Sequence, residues 1–180
     1  LQQQAGWRRP LIYDNILFKL DKLQKAVNVM ADGGEIVTEI RQLMRSSRRA
    51  SLGTVTERDG AMLPFVSLVI PAIADDGAPL LLMSDLADHS KHLKARPQAS
   101  LLFDGTLDMA EPLTGPRVSL IGGLDVTTAP ADRATYLAQR PEAAFYADFA
   151  DFRFYRFAAS EALFVAGFGR IHRLAGSLLI

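Results

Sequence analysis

The chain has 180 residues, 49% of them hydrophobic, and its 20 basic side chains balance 20 acidic ones. A packed core is therefore within reach, while no global field favours nucleic acid or an anionic membrane. The lack of cysteine excludes disulfides, thiolate catalysis and cysteine-ligated metal and fits a reducing compartment. No apolar run reaches the roughly 20 residues of a membrane span, and LQQQAGWRRP lacks the order of a secretory signal. The expectation is a cytoplasmic protein.

From Leu11 to Met30, Ile12, Ile16, Leu17, Leu20, Leu23, Val27 and Met30 recur at helical spacing, which predicts an amphipathic helix. Met30 followed by ADGGEIVTEIRQLM reads as a natural start. Residues 1–31 are therefore expected to form an N-terminal helical extension, its apolar face covered by something such as a partner subunit. After a break at Ala31–Gly34, a second amphipathic helix is predicted over Glu35–Arg45, then a strand over Ser51–Thr56. ERDG turns the chain with Asp-Gly at its tip, and Leu63–Ala72 reads as one strand apolar on both faces.

ADDGAP closes another hairpin. Beyond it, Pro79–Ser84 is predicted as a strand, Asp88–Ala95 as a short helix and Ala99–Phe103 as the next strand. Ser84, His89, Ser90 and Lys91 then meet at one end of a sheet. Backbone N–H groups at a helix N-terminus, two hydroxyls and an ammonium suit a dianionic phosphate. The plainer reading is a capped surface helix with Lys91 solvated. Arg117–Thr127 is predicted as a long strand with a bulge at Gly122-Gly123. Pro130–Gln139 and Pro141–Ala147 read as helices, Phe152–Ala158 and Leu163–Gly167 as the last two strands. The class is α+β, a small β-barrel with helices at its corners.

Four segments, taken jointly, resemble a known family: RRASLGTV with PFVSLVIPA; LLLMSDLADHSKHLKARPQASLLF; PRVSLIGGLDV with YLAQRPEAAFYADFADF; and VAGFGR. Their order is similar to the FMN-binding split barrel of the pyridoxamine 5′-phosphate oxidase-like group, above all its small bacterial branch related to haem utilisation. The resemblance implies a split-barrel domain over residues 32–173, a homodimer with FMN sites at the subunit interface and a small-molecule substrate. The apolar tail at 174–180 departs from the family and is expected to pack on the partner subunit, and the balanced charge and short apolar runs predict no nucleic-acid or membrane partner.

Carried over residue by residue, the resemblance gives phosphate contacts to Ser84, Ser90 and Lys91, with His89 beside them. The backbone of Val66, Ser67 and Leu68 would lie against the flavin ring, and Arg117 would favour reduced flavin. The family's phosphate arginine is absent at Val66 and Ser67, where Arg48 or Arg49 would substitute. In the substrate half, Tyr136, Arg140, Arg170 and His172 match. Ala144 replaces a serine and no lysine stands near Ile70–Pro71, so the anion clamp is half missing. Each lost charge-assisted hydrogen bond forgoes about 1.5–3 kcal/mol, which argues against pyridoxamine phosphate oxidation itself. The expected function is an FMN-dependent oxidoreductase of unknown substrate. The alternative is a haem-binding, storing or degrading protein with His172 as axial ligand. A third reading is a ligand-free dimeric scaffold. No metal site is expected from His89 and His92 alone.

Overall fold

The computed structural model describes residues 33–179, and the helix expected within residues 1–31 lies outside them. The chain divides into two compact units, 1–38 and 39–180, and every strand belongs to the second. Helix α1 covers residues 33–46. Strands β1 (Ala50–Arg58), β2 (Ala61–Val69), β3 (Pro71–Ile73) and β4 (Pro79–Ser84) follow, then helix α2 (Asp88–Ala95) and strands β5 (Gln98–Asp104) and β6 (Arg117–Val126). Helix α3 (Pro130–Gln139), a 3-10 turn (Pro141–Phe145) and strands β7 (Phe152–Gly167) and β8 (Arg170–Ala175) complete the order.

The strands form one antiparallel eight-stranded sheet in the order β2-β1-β5-β6-β7-β4-β3, with β8 also paired to β7. Alternation along the strands sends Leu52, Leu101, Phe103, Val118, Leu120, Ala162 and Phe164 into a shared core. Between β1 and β2 the predicted turn is a two-residue hairpin, with Asp59 and Gly60 both at positive φ. The predicted bulge is also present: the β6–β7 register shifts between Ile121 and Gly122. A Cβ on Gly122 would collide with the Ala158 carbonyl, so only glycine fits there.

Three expectations are corrected. The single strand predicted over Leu63–Ala72 is two strands broken at Ile70. Pro71, which has no N–H to donate, opens β3, and β2 pairs with β1 whereas β3 pairs with β4. Ile70 thus joins the two ends of the sheet and closes the barrel covalently. Tyr136 Oη donates to the Ile70 carbonyl at 2.9 Å. Gln139 Nε2 donates to the Ile73 carbonyl at 2.7 Å while its Oε1 accepts from the Ile73 N–H at 2.9 Å. Helix α3 therefore pins both sides of the junction.

Second, the two strands predicted over Phe152–Ala158 and Leu163–Gly167 are one continuous strand of 16 residues. Its first part pairs with β4, its last part with β8, and β6 accompanies almost all of it. Third, part of the tail packs on its own chain. Leu174 ends up buried on β8 and Leu179 is 2% exposed, its carbonyl accepting from Arg41.

One face of the sheet is left uncovered. The register lines up Leu68, Ser51, Leu102 and Ser119 in one row across four strands, and Val66, Gly53, Ser100 and Ile121 in the next. Val66 is 69% and Leu68 65% exposed, and Leu102 and Ile121 are also in the open.

Candidate functional site

The strand-to-helix turn after β4 carries Ser84, His89, Ser90 and Lys91. Ser67 on β2 and His89 on α2 meet: His89 Nδ1 lies 3.1 Å from Ser67 Oγ. One turn on, His92 Nδ1 is 3.0 Å from Oγ1 of Thr54 on β1, and its ring meets Phe65 edge-on. Two imidazoles three residues apart thus hold α2 onto the two strands of the first hairpin. Burial, and then the neighbouring His92, hold the His89 imidazole below its ordinary pKa, so it is neutral near pH 7.

Two other groups of the expected phosphate cradle, Lys91 and Ser84, are engaged within the chain. Lys91 Nζ pairs at 3.1 Å with Asp88 on its own helix, and both side chains are mostly exposed. Lys91 in turn holds the Asp88 carboxyl below the usual carboxylate range, chiefly through that hydrogen bond. Ser84 Oγ donates to the Asp151 carboxylate and accepts from the Leu86 N–H. Ser90 is fully buried, its hydroxyl without a partner among the described residues. The Ser90 and Lys91 N–H groups close onto the Ala87 carbonyl. A phosphate at this turn would have to displace Asp88 from Lys91 and Asp151 from Ser84.

The substrate-half residues are dispersed. Tyr136 is 1% exposed with its hydroxyl on Ile70, and burial raises its pKa strongly, so it is a core side chain and not a phosphate clamp. Arg140 Nη2 donates to the Ser47 carbonyl at 3.1 Å and Nη1 to the Gln139 carbonyl at 3.0 Å, while Nε is buried without a partner among the described residues. Arg117 Nη1 reaches the carbonyls of Leu113 and Gly115 at the barrel's end. Arg170 is exposed near Glu39. His172 stacks on Phe164 within the β7–β8 pair, and its Nε2 is buried without a partner among the described residues.

A cleft of about 1140 Å³ lies on the other side of β2 from α2. Leu43, Leu68 and Ile70 line it together with Arg48, Arg49 and Arg140. Arg48 and Arg49, expected to complete the phosphate cradle, stand here instead. No histidine lines this cleft. Sequence reasoning missed it because its walls come from α1, β2, the loop after β5 and the end of α3. Among the described residues no group of three or more His, Cys, Asp or Glu side chains is placed to hold a metal ion.

The sequence matches the family model described as pyridoxamine 5′-phosphate oxidase over residues 36–166. The chain belongs to the pyridoxamine 5′-phosphate oxidase family. Within that family it is 36% identical over 134 residues to the non-canonical heme oxygenase HOZ, chloroplastic, of Arabidopsis thaliana. The match takes in 73% of this chain but only 40% of that relative, so the chain spans well under half of the curated protein it matches. Among solved structures, the heme binding protein from Mycobacterium smegmatis superposes with a TM-score of 0.72 at 29% identity, covering 79% of this chain and 59% of the other. HutZ, the heme storage protein from Vibrio cholerae, shares the fold, with a TM-score of 0.54 at 20% identity over 67% of this chain and 87% of its own. The split barrel is thereby established as the fold of this member of the pyridoxamine 5′-phosphate oxidase family.

Proposed function

We propose that this chain is a haem-binding protein, storing, delivering or degrading haem on a homodimeric split barrel, and that the flavin role has been given up. The observation that carries this reading is the self-filled phosphate cradle. Lys91 and Ser84, which would anchor FMN, are engaged with Asp88 and Asp151, while apolar side chains of β2 stand open on both of its faces. A haem needs apolar contact for its macrocycle and a neutral imidazole for its iron, and β2 with His89 offers both. The haem names carried by the Arabidopsis and Mycobacterium relatives support the same reading. When bound, haem supplies an iron centre for redox or oxygen chemistry. The protein's share is to bind and orient it and to restrict water.

Dimerisation is part of the proposal. The two open rows of small and apolar residues across β2, β1, β5 and β6 form a flat surface of the kind that a second copy covers.

Hemin titrated into apo-protein tests this reading, with the Soret band and the melting temperature as readouts. Saturable binding with a shifted Soret band is expected, and a ligand at a hundred times its Kd adds about 2.7 kcal/mol of stability. Protein that purifies yellow with bound FMN would restore the oxidoreductase reading. Indifference to both ligands would leave the scaffold reading.

A further inference from the structure

We propose that the cleft walled by the end of α1, β2 and the loop after β5 binds an apolar molecule that carries carboxylates, and that Arg48 and Arg49 receive them. The inference goes beyond the haem reading, because it requires no iron. The cleft has a volume of about 1140 Å³, ample for a large organic ligand. Leu68, Ile70, Leu107 and Met109 line it, and each keeps between 38% and 65% of its surface open. Walls of this kind call for an apolar body.

Two fixed points place the arginines. Ser47 is held from both sides: its N–H and hydroxyl donate to the Leu43 carbonyl at 3.1 and 2.7 Å, and its own carbonyl accepts from Arg140 Nη2. Ala50 is buried and opens β1 opposite Val69, beside Leu68 and Ile70. Arg48 and Arg49 fill the two positions between, and both line the cleft with their side chains exposed. Neither is in an ion pair among the described residues. Asp104, Asp108 and Glu142 also line the cleft, yet none of them pairs with a guanidinium there; Asp104 accepts instead from the N–H and hydroxyl of Thr106. The two cations are thus open to a carboxylate from outside, which a guanidinium takes in two parallel charge-assisted hydrogen bonds. Arg140, occupied with the Ser47 and Gln139 carbonyls, is a positioning residue for the linker that carries them.

The test titrates apo-protein with iron-free protoporphyrin IX, its dimethyl ester, dodecanoate and hemin by calorimetry. It compares wild type with the double variant Arg48→Gln/Arg49→Gln, with Leu107→Asp, and with Arg133→Gln, whose guanidinium pairs with Asp148 outside the cleft. Wild type is expected to bind at least one of the two iron-free acids saturably. The double variant and Leu107→Asp should bind that acid at least about tenfold more weakly, and wild type should lose as much towards the ester where that acid is the porphyrin. Arg133→Gln should match wild type. The tighter-binding acid identifies the source of the carboxylate, a porphyrin or an alkyl chain. Arg48, Arg49 and Leu107 are exposed, and far-UV spectra check that the variants fold. The proposal is overturned if neither iron-free acid binds, if the double variant keeps wild-type affinity, or if Arg133→Gln loses as much as the double variant. Hemin bound by a protein that takes neither iron-free acid leaves the haem reading standing and sinks this one. An iron-free acid bound through the arginines, with hemin ignored, does the reverse.

Discussion

Replacing Tyr136 separates a core role from a ligand role, because its hydroxyl and its ring do different work. The hydroxyl donates to Ile70, the residue that joins the two ends of the sheet. The ring is buried among Ala72, Leu80, Leu82 and Ala143 and meets Phe154 edge-on at 5.7 Å. Tyr136→Phe removes the hydrogen bond alone. Ile70 is 39% exposed, so water can reach the freed carbonyl and the loss should be about 1 kcal/mol. In a chain of this size that lowers Tm by about 2–4 °C. Tyr136→Ala also empties the site of the ring, at about 3–5 kcal/mol, which corresponds to a fall of roughly 6–20 °C. Urea denaturation of both variants at matched protein concentration measures the losses, and hemin titration of Tyr136→Phe should give the wild-type affinity. A Tyr136→Phe protein as stable as wild type but weakened towards its ligand would refute the core assignment and return this hydroxyl to the binding site.

Three further outcomes are expected. Ser90→Ala removes a buried hydroxyl that lacks a partner among the described residues, so it should leave stability unchanged or raise it by up to about 1 kcal/mol; a marked loss by urea denaturation would mean that the hydroxyl has a partner after all. Ile121→Arg places a charge at the β6 end of the open rows and should convert a dimer to a monomer by light scattering, with little change in the far-UV spectrum; a variant that stays dimeric would move the interface elsewhere. His89, kept neutral by burial, should titrate below its ordinary value of 6.5 in an NMR titration of the apo-protein. Its unfolded form takes up the proton first, so the stability linked to neutral His89 is complete above about pH 6.5 and is lost as pH falls through the lowered native value. His89→Gln should flatten that part of the pH profile, and a native value at or above 6.5 would contradict the burial argument.

Much of the framework could be read locally. Strand β4 and helices α2 and α3 lie at their predicted positions because Pro79, Pro130 and the apolar spacing are signals carried by neighbouring residues. The bulge at Gly122 was legible for the same reason. The errors fall where distant residues decide. The break at Ile70 hides inside an apolar run because only the pairing partners, β1 and β4, separate β2 from β3. The unbroken β7 contains AASEA, which looks like a loop until β6 and β8 supply the ladder. At the site, the strand, turn and helix that carry Ser84 and His89 were legible from local signals, whereas the Ser67–His89 contact joins residues 22 apart. Local signals could not show that Asp151, 67 residues further on, takes the Ser84 hydroxyl, or that Tyr136 reaches back 66 residues to Ile70. Lys91 pairs with Asp88 three residues before it, a contact within one helical turn.

Strand β7 also bears on how the molecule comes apart. It is a common seam: β4 zips to its leading end, β8 to its trailing end, and β6 to its opposite edge. Opening at this seam would have to release all three partners, so it should be rare there and frequent at β2 and β3, which sit farthest along the ladder. In native-state hydrogen exchange the last amides to surrender their protons should be those of Leu120, Leu124 and Phe157, exchanging only when the whole sheet lets go.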